Sequence, residues 1–391
     1  EYFALDLGGT NFRVMRVVLS QQRDGHIDSV DHKECAIPPE AMTGTATQLF
    51  DFIAGAFADF VEERGFAVPK KSALGFCFSF PLNQTAIDEG ALINWTKGFT
   101  TEGVEGKDVV GLLQEALVRR GLDVPVAALV NDTVGTLATM CYSDPDAVVG
   151  VILATGSNAC YVERVDRIAK WEKPLPSSNQ MVINIEWGDF ASASLPRTEA
   201  DVAVDEMSVN PGEQLFEKLL SGMYMGEVAR HMLLRLAVDG GLFGGEVPKV
   251  LREPGGLPTP RLSAIDGDAG TAEAKHWLRQ QVGEAEHLHG EEACKVVKEV
   301  CRLVRARAAG LAACGIAAVL RKIGRDGQVT PMRRTVVAVD GALFEKYGAY
   351  RSDITVTLRR LLGSAADKLE LKLANDGSGV GAALLAASAT H

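Results

Sequence analysis

The chain has 391 residues, of which 47% are hydrophobic and 23% are charged, and its formal net charge at pH 7 is -11. This length and composition provide for two globular domains, each with a hydrophobic core of its own. The acidic balance argues against non-specific nucleic-acid binding, because neutralising phosphates requires a basic face. The longest uncharged apolar stretch of the C-terminal third, Ala308 to Leu320, is too short to cross a bilayer and indicates a buried helix.

The chain opens with the first of two segments that share the order strand, polar glycine turn, strand. The turn from Asp6 to Arg13 contains two adjacent glycines and precedes the apolar run Val14 to Leu19, and the turn from Thr155 to Asn158 follows the apolar run Val148 to Ala154. Glycines let the backbone approach an anion closely, and polar side chains donate hydrogen bonds to phosphate oxygens. An ordinary hairpin accounts for either turn alone. Two such turns predict a duplicated, actin-like ATPase core that grips one nucleotide from two sides.

The remaining elements alternate strands with helices and describe an α/β protein. We predict a small domain over residues 1–131 and a large domain over residues 132–376, with a short hinge because no low-complexity linker separates them. The predicted strands are 4–5, 14–19, 74–80, 126–130, 335–339 and 369–373, and the predicted helices are 46–64, 108–120, 212–238, 295–323 and 382–387.

A candidate catalytic base follows the predicted strand Val126 to Val130, where the two domains should meet. Asp132 lies in the run Val130-Asn131-Asp132-Thr133, and a carboxylate at a strand's end beside a cleft can accept a proton. None of the seven histidines falls in these motifs. A helix cap is the alternative role for an N-D-T run, and the neighbouring motifs favour the base.

Cysteine and histidine patterns are less informative. Seven cysteines are scattered without a C-x-x-C pair, which predicts reduced thiols in a cytosol-like compartment. His276, His287 and His289 lie among glutamates but lack the ligand spacing of a zinc site. We therefore expect a solvated surface there and no metal site built from protein side chains alone.

Four further segments complete a family resemblance: Phe78 to Pro81, Asn94 to Phe99, Asn184 to Gly188 and Asn210 to Glu217. With the two glycine turns, they closely resemble the eukaryotic hexokinase family over nearly the whole chain. The resemblance implies a two-domain actin-like ATPase fold of the ribonuclease H-like type, with a cleft between a small and a large domain. It also implies transfer of the γ-phosphate of Mg-ATP to the 6-hydroxyl of a hexose, with glucose expected, as the entry step of glycolysis.

The resemblance assigns a hexose pocket. Asp132 is expected to act as the base, and Lys97 to place a positive charge near the transferring phosphoryl group; a structural lysine on a surface turn is the alternative for Lys97. Carboxylates and amides can satisfy vicinal sugar hydroxyls in pairs, so a misplaced hydroxyl leaves buried groups unpaired. The implied substrate-binding residues are Ser79, Phe80, Thr96, Lys97, Asn131, Asp132, Asn158, Glu186, Gln214 and Glu217.

The segments Val339 to Leu343 and Asn375 to Ala382 resemble the family's adenosine-binding segment. The second has the spacing G-x-G-x-G without the acidic residue of a dinucleotide fingerprint, which argues against NAD, and no P-loop motif occurs. Mg²⁺ is expected on the nucleotide phosphates, with Asp6 reaching it through water. The implied nucleotide-binding residues are Asp6, Gly8, Gly9, Thr10, Asn11, Arg13, Thr155, Gly156, Asp340, Gly341, Gly377 and Ser378.

The C-terminal helix resembles the family's last helix, which crosses back to the first domain. Residues 377–391 are therefore expected to complete the small domain. The stretches Ala36 to Pro39 and Asp376 to Ser388 resemble plant and green-lineage members. One set of motifs predicts a single catalytic unit, expected as a cytoplasmic monomer without nucleic-acid or membrane contact from the visible chain. A preceding segment, expected because the chain starts inside a strand, could anchor it at the mitochondrial surface or direct it to a plastid.

Two other functions stay open. A sugar sensor would bind hexose and nucleotide and signal through a partner without fast chemistry, and the sequence could also allow a separate sensing role in an active enzyme. An actin-like or chaperone-like ATPase shares the glycine turns but has no need for the sugar-binding segments.

Overall fold

The computed structural model describes residues 1–9, 11–20, 26–68, 72–172, 174–175, 178–282, 290–328, 333–374 and 376–390. Three positions named above, Thr10, His287 and His289, lie outside this part of the chain, as does Asn375 in the adenosine segment. Within it, the strands form two five-stranded sheets and one two-stranded hairpin.

The first sheet has the order β3-β2-β1-β4-β7. Strands β1, β2 and β3 are antiparallel neighbours, whereas β4 and β7 run parallel to β1. Side chains alternate across a strand, so Phe3 and Leu5 face one core while Ala4 faces another. The strands are β1 (Tyr2–Leu7), β2 (Asn11–Leu19), β3 (Ile27–Ala36), β4 (Leu74–Phe78) and β7 (Val126–Val130), and the hairpin joins β5 (Leu82–Ala86) to β6 (Glu89–Leu92).

The second sheet repeats the plan of the first, with the order β10-β9-β8-β11-β12. Its first three strands are again antiparallel neighbours, and the last two run parallel to β8. The repetition is the duplication that the two glycine turns predict. The strands are β8 (Ala147–Leu153), β9 (Ser157–Arg164), β10 (Gln180–Asn184), β11 (Thr335–Asp340) and β12 (Leu369–Leu373).

Helices cover both sheets. Helices α2 and α3 contribute to the core on one face of the first sheet, and the larger core beside the second sheet contains α7, α9, α11 and α13. The helices are α1 (Pro39–Thr43), α2 (Ala46–Arg64), α3 (Val109–Arg119), α4 (Asp132–Ser143), α5 (Glu199–Glu206), α6 (Leu215–Leu220), α7 (Met225–Asp239), α8 (Lys249–Arg252), α9 (Thr259–Gly267), α10 (Ala272–Val282), α11 (Glu291–Lys322), α12 (Ala342–Lys346), α13 (Gly348–Leu362) and α14 (Gly377–Ala389).

Helices α4 and α14 cross where the two sheets meet. Helix α4 packs on the second sheet, and α14 packs on the first sheet through β1, β4 and β7. The crossing brings the backbones of the two helices together. A Cβ at Gly381 would lie 1.9 Å from the Gly135 carbonyl oxygen, and a Cβ at Gly135 would lie 2.3 Å from the Ser378 carbonyl oxygen. Only glycine permits this approach.

Some element bounds differ from the sequence-based prediction. The predicted helix 212–238 is two helices, α6 and α7, separated at Ser221 to Tyr224. In the break, the Gly222 and Met223 N–H groups donate to the carbonyl oxygens of Ala154 and Thr155 in the second glycine turn. The last helix starts at Gly377, five residues before the prediction, and β4 ends at Phe78 in place of Phe80.

Helix α11 contains the apolar stretch predicted to be buried. Among the helices that the structure describes, it alone is long and apolar enough to cross a membrane. Half of its most apolar 18-residue segment is buried inside the protein. Ala308, Ala312 and Ile316 are fully buried in the core beside the second sheet. A buried core helix has the same length and composition as a spanning one, so this feature is weak evidence for a membrane.

Candidate active site

The floor of the site is the junction between β7 and α4. Asn131 is the N-cap of α4, and its Oδ1 accepts from the Thr133 N–H at 3.1 Å and the Thr133 hydroxyl at 2.9 Å. Asp132 is the first residue of the helix, and its Oδ1 accepts from the Thr133 N–H at 2.8 Å. Because Asn131 makes the cap, the other carboxylate oxygen of Asp132 can face the cavity.

Lys97 lies between the two glycine turns. Its Nζ donates to the Ser79 carbonyl oxygen at 2.6 Å and lies 3.9 Å from Asp132 Oδ2. A Cβ on Gly9 would lie 3.0 Å from the Lys97 side chain, and a Cβ on Gly156 would lie 3.2 Å from it. The absence of side chains at both turns thus leaves room for this cation beside Asp132.

An amide and carboxylate network forms one wall. Asn158 Nδ2 donates to Asn131 Oδ1 at 3.3 Å, to Asn184 Oδ1 at 2.9 Å and to Glu186 Oε1 at 3.1 Å. Asn184 Nδ2 also donates to Glu186 Oε1, at 2.7 Å. These bonds fix the direction of each amide, so the wall presents a defined pattern of donors and acceptors.

Glu217 forms the opposite part of the wall. The side chain is buried, and its Oε2 accepts from the Ser157 N–H at 2.8 Å. Trp187 Nε1 donates to the Ser157 hydroxyl at 3.0 Å and holds the second glycine turn from behind. Gln214 is also buried, and its backbone N–H donates to Asp189.

These side chains enclose a small polar cavity beside the second glycine turn. Nine of the ten predicted substrate-binding residues line it. Phe80 is the exception, because its ring is buried in an aromatic cluster with Phe78, Trp95 and Phe99 beneath Lys97. The lining residues are Ser79, Pro81, Thr96, Lys97, Asn131, Asp132, Ile152, Gly156, Ser157, Asn158, Glu186, Gln214 and Glu217.

Backbone strain is concentrated around this cavity. Six non-glycine residues of the described chain have positive φ angles, and three of them, Lys97 at 57°, Glu186 at 53° and Gln214 at 52°, line the cavity. Each such residue costs on the order of 1–3 kcal/mol, which the surrounding structure must offset. The strain marks positions where side-chain direction takes precedence over stability.

Burial sets the electrostatics of the carboxylates. It raises the pKa of Asp132 above its ordinary value, and the Asp6 charge adds to the shift while Lys97 opposes it. Burial likewise raises the pKa of Glu186 and of Glu217. A carboxylate with a raised pKa is a stronger base than one in water.

A larger cleft adjoins the cavity and holds nearly all the predicted nucleotide-binding residues. Gly377 is the described exception: it does not line the cleft, but its N–H donates to Asp340 Oδ2 at 3.1 Å. The lining residues are Asp6, Gly8, Gly9, Asn11, Arg13, Glu34, Ser79, Lys97, Asp132, Ile152, Ala154, Thr155, Gly156, Asp340, Gly341, Ala342, Glu345, Lys346, Leu373, Asp376 and Ser378.

Arg13 is the centre of a charge network in this cleft. It donates to Asp6 Oδ2 at 2.9 Å and to Asp376 Oδ1 at 2.7 Å, and the Ser378 hydroxyl donates to the same Asp6 oxygen at 2.7 Å. Asp340 lies nearby, and burial raises its pKa to about 6. The network ties the first glycine turn to the start of α14.

Several lining residues escaped the sequence analysis. Pro81, Ile152 and Ser157 lie within or next to motifs already singled out, so their positions alone could have suggested them. Glu34 belongs to no motif; it lies opposite Arg13 in the pairing of β2 with β3 and also bonds Asn11. Asn184 does not line the cavity but bonds Asn158 and Glu186, which do; it belongs to a quoted segment but was given no role.

The cleft suits a metal ion carried by a nucleotide. The described residues contain no group of three or more histidine, cysteine, aspartate or glutamate side chains able to hold a metal ion. The buried Asp6 carboxylate faces the cleft but is already bonded to Arg13 and Ser378. This fits Mg²⁺, which keeps several waters and binds largely through substrate phosphates.

Comparisons with known proteins agree with this geometry. Hexokinase family models match residues 1–142 and residues 148–388. Hexokinase-2 of Oryza sativa subsp. japonica is 49% identical over 397 residues, covering 99% of this chain and 79% of that protein. Hexokinase-1 of Nicotiana tabacum is 48% identical over 398 residues, with the same coverage.

A solved structure gives the same result. The hexokinase from Schistosoma mansoni complexed with glucose has a TM-score of 0.88 and 38% sequence identity to this chain, and the match covers 99% of this chain and 85% of that one. The fold is therefore the two-domain actin-like fold of hexokinases. Since both halves match the family models and plant relatives match along nearly its full length, the chain belongs to the hexokinase family, as a plant-type, ATP-dependent hexose kinase.

Proposed function

We propose that the protein transfers the γ-phosphoryl group of Mg-ATP to the 6-hydroxyl of glucose. The observation that carries the proposal is the shared boundary of the two cavities. Five residues line both the small cavity and the larger cleft, so an acceptor in the cavity faces a phosphate in the cleft. These residues are Ser79, Lys97, Asp132, Ile152 and Gly156. The glucose bound by the related Schistosoma mansoni enzyme supports the choice of sugar.

In this proposal Asp132 is the general base. Its carboxylate accepts the proton of the 6-hydroxyl as the oxygen attacks the γ-phosphorus, and its burial-raised pKa suits that task. Lys97, 3.9 Å from Asp132, stabilises the negative charge that develops on the phosphoryl oxygens. The Lys97 charge also opposes the rise that burial causes in the pKa of Asp132.

Sugar selectivity follows from the walls. Glu186 and Glu217 require hydrogen-bonding partners once water leaves the cavity. A hexose with hydroxyls in the matching directions supplies them, whereas an epimer leaves at least one buried group unpaired. We infer that glucose is preferred over hexoses that differ at the hydroxyls facing these side chains.

The glycine turns and the helix crossing serve the nucleotide. The backbone at Gly9 and Gly156 borders the cleft, where its N–H groups can approach the phosphates, and Thr155 lines the same cleft. Mg²⁺ would accompany the phosphates, with Asp6 acting through water. Movement of the two halves about α4 and α14 would exclude water, a competing acceptor, from the γ-phosphate.

We also propose a monomer in the cytosol. None of the seven cysteines, all within the described residues, forms a disulfide, which supports a reducing compartment. Light scattering on the purified protein would test the oligomeric state, and fractionation of cells would test the location.

The deciding experiment measures ADP release from Mg-ATP with glucose, without sugar and with 6-deoxyglucose. Glucose should stimulate release strongly, while 6-deoxyglucose, which lacks the acceptor hydroxyl, should not yield a phosphorylated sugar. Glucose binding by calorimetry without any turnover would contradict the kinase and favour a sensor. Absence of hexose binding would instead favour an ATPase of another kind.

A further inference from the structure

Asn184 stands behind the sugar cavity without lining it. It ends the edge strand β10 and is exposed, yet its side-chain amide points towards the site. Nδ2 donates to Glu186 Oε1 at 2.7 Å, while Oδ1 accepts from Asn158 Nδ2 at 2.9 Å and from the Thr133 hydroxyl at 3.4 Å. One amide therefore connects Glu186, Asn158 and the first turn of α4.

The two oxygens of Glu186 are in different environments. Oε1 accepts from both Asn184 and Asn158, whereas no described residue donates to Oε2. The Glu186 backbone is held at φ 53°, in the left-handed region. The carboxylate thus has one oxygen bound by the protein and one available to a ligand hydroxyl.

The Asn184 hydrogen bond also bears on the charge of Glu186. Burial raises the pKa of Glu186, and the hydrogen bond from Asn184 is the largest effect that opposes the shift. Three other charged groups act on this carboxylate across the cavity. Asp132 and Glu217 disfavour its ionisation, and Lys97 favours it.

We propose that Asn184 is a positioning residue for the hexose, which holds Glu186 Oε1 and thereby presents Oε2 to a sugar hydroxyl. The inference rests on the proposed function, because it concerns the same cavity. The direction of the amide is essential: a reversed amide would set Oδ1 against the carboxylate, and an isosteric aspartate would set a second negative charge there.

The first test replaces Asn184 with alanine. Losing a hydrogen bond to a charged group should weaken glucose binding about tenfold, while the KM for ATP stays within about twofold of the wild-type value because the nucleotide cleft is untouched. The pKa of Glu186 should rise further, so glucose binding by Asn184→Ala should weaken more than that of the wild type as the pH falls from 8 to 5. The matched control is Gln180→Ala, at the exposed start of the same strand.

The second test uses Asn184→Asp and should give the opposite pH dependence. At high pH two ionised carboxylates repel each other and displace Glu186. As the pH falls, the pair takes up one shared proton, which restores a hydrogen bond between the two side chains. Glucose binding by Asn184→Asp should therefore strengthen towards the wild-type value as the pH falls.

Calorimetric titration with glucose from pH 5 to 9, without nucleotide, measures both trends independently of turnover. Opposite pH trends in Asn184→Ala and Asn184→Asp support the positioning role. Parallel trends in all four proteins, or an equal rise of KM for glucose and ATP, would overturn it and leave the proposed function intact. Wild-type protein that does not bind glucose would instead overturn the proposed function, and this inference with it.

Discussion

The sugar cavity and the nucleotide cleft meet at Lys97 and Asp132, but they are built differently. The sugar cavity is walled by side chains that already bond one another, and three of its residues have strained backbone. The cleft is larger and is bordered by glycine turns, with a charge network around Arg13. One region supplies directed polar groups, and the other supplies backbone donors and open space.

This difference indicates that the cavity determines sugar selectivity and that the cleft binds the nucleotide phosphates. Fixed side chains can distinguish hydroxyl positions, because each misplaced group leaves a buried partner unsatisfied. Backbone donors next to glycine hold phosphates, which are alike in every nucleoside triphosphate. Changes in the cavity should therefore affect the sugar, changes in the cleft should affect ATP, and changes at the boundary should affect both.

The largest effect is expected at the boundary itself. Replacing Asp132 with alanine removes the base and should lower kcat about 10²- to 10⁴-fold, while glucose binding is largely retained because the amide and carboxylate walls remain. Steady-state ADP release and glucose calorimetry measure the two quantities. Near-normal turnover in this variant would remove Asp132 from the role of base.

Gly156→Ala should disturb both regions at once. The added Cβ would lie 2.6 Å from Glu217 Oε2 and 3.2 Å from the Lys97 side chain. Displacing both groups should lower kcat/KM for glucose and for ATP by up to about 100-fold. Gly310→Ala in helix α11 is the control, since its Cβ meets no atom within 4 Å. Selective loss of one substrate alone would show that the two regions are less coupled at this turn than we infer.

Arg13→Lys should affect only the cleft. A lysine ammonium cannot reproduce the paired contacts of the guanidinium with Asp6 and Asp376. The KM for ATP should rise about tenfold, with glucose binding unchanged. Arg16→Lys, on the same strand and bonded to surface carboxylates, serves as the control. A matching rise in the KM for glucose would contradict the separation of the two regions.

The smallest effect concerns stability and its pH dependence. Asp340 has a pKa of about 6 in the folded protein, above its ordinary 3.8. Ionised Asp340 therefore destabilises the fold above pH 6, by at most about 3 kcal/mol. Asp340→Asn should raise the free energy of unfolding at pH 8, and the gain should shrink as the pH falls from 6 towards 4.

Asp144 serves as the control for Asp340, because its replacement should change stability in the opposite direction. Hydrogen bonds from Arg334 and Lys372 hold the pKa of Asp144 well below its ordinary value, so Asp144→Asn should lower stability at pH 8. Urea unfolding at pH 4, 6 and 8 compares the two variants. A gain at Asp340→Asn that does not change with pH would show that the ionisation of Asp340 is not its cause.

Local patterns predicted much of the fold. The bounds of β7 follow from a short apolar run, and those of β12 follow from leucines that alternate with charged residues. Helix α2 begins after a Thr45–Gln48 capping box and ends at Arg64, before Gly65 in the left-handed region. The break after α6 was not predictable in this way, since Gly222 donates to Ala154, a residue distant in sequence. Tertiary hydrogen bonds there replace those of a continuous helix.

The candidate site was predictable where a motif places several ligands together. The run around Asp132 and the two glycine turns contain 11 of the 29 described residues that line the sugar cavity or the nucleotide cleft. The motif around Phe80 does not reveal that its ring turns into the aromatic cluster with Trp95. Glu34 and Asn184 were missed because their positions depend on strand pairing and on side-chain direction.

The position of α14 has a consequence for synthesis of the chain. One face of the first sheet, with Ala4, Met15, Cys77 and Val130, is buried by the last helix, whose first residue is Gly377. On the ribosome, that apolar face stays uncovered while the whole second half is made. Nascent protein should therefore bind chaperones through this face until residues 377–389 emerge, and protease resistance of the first half should appear only after their release.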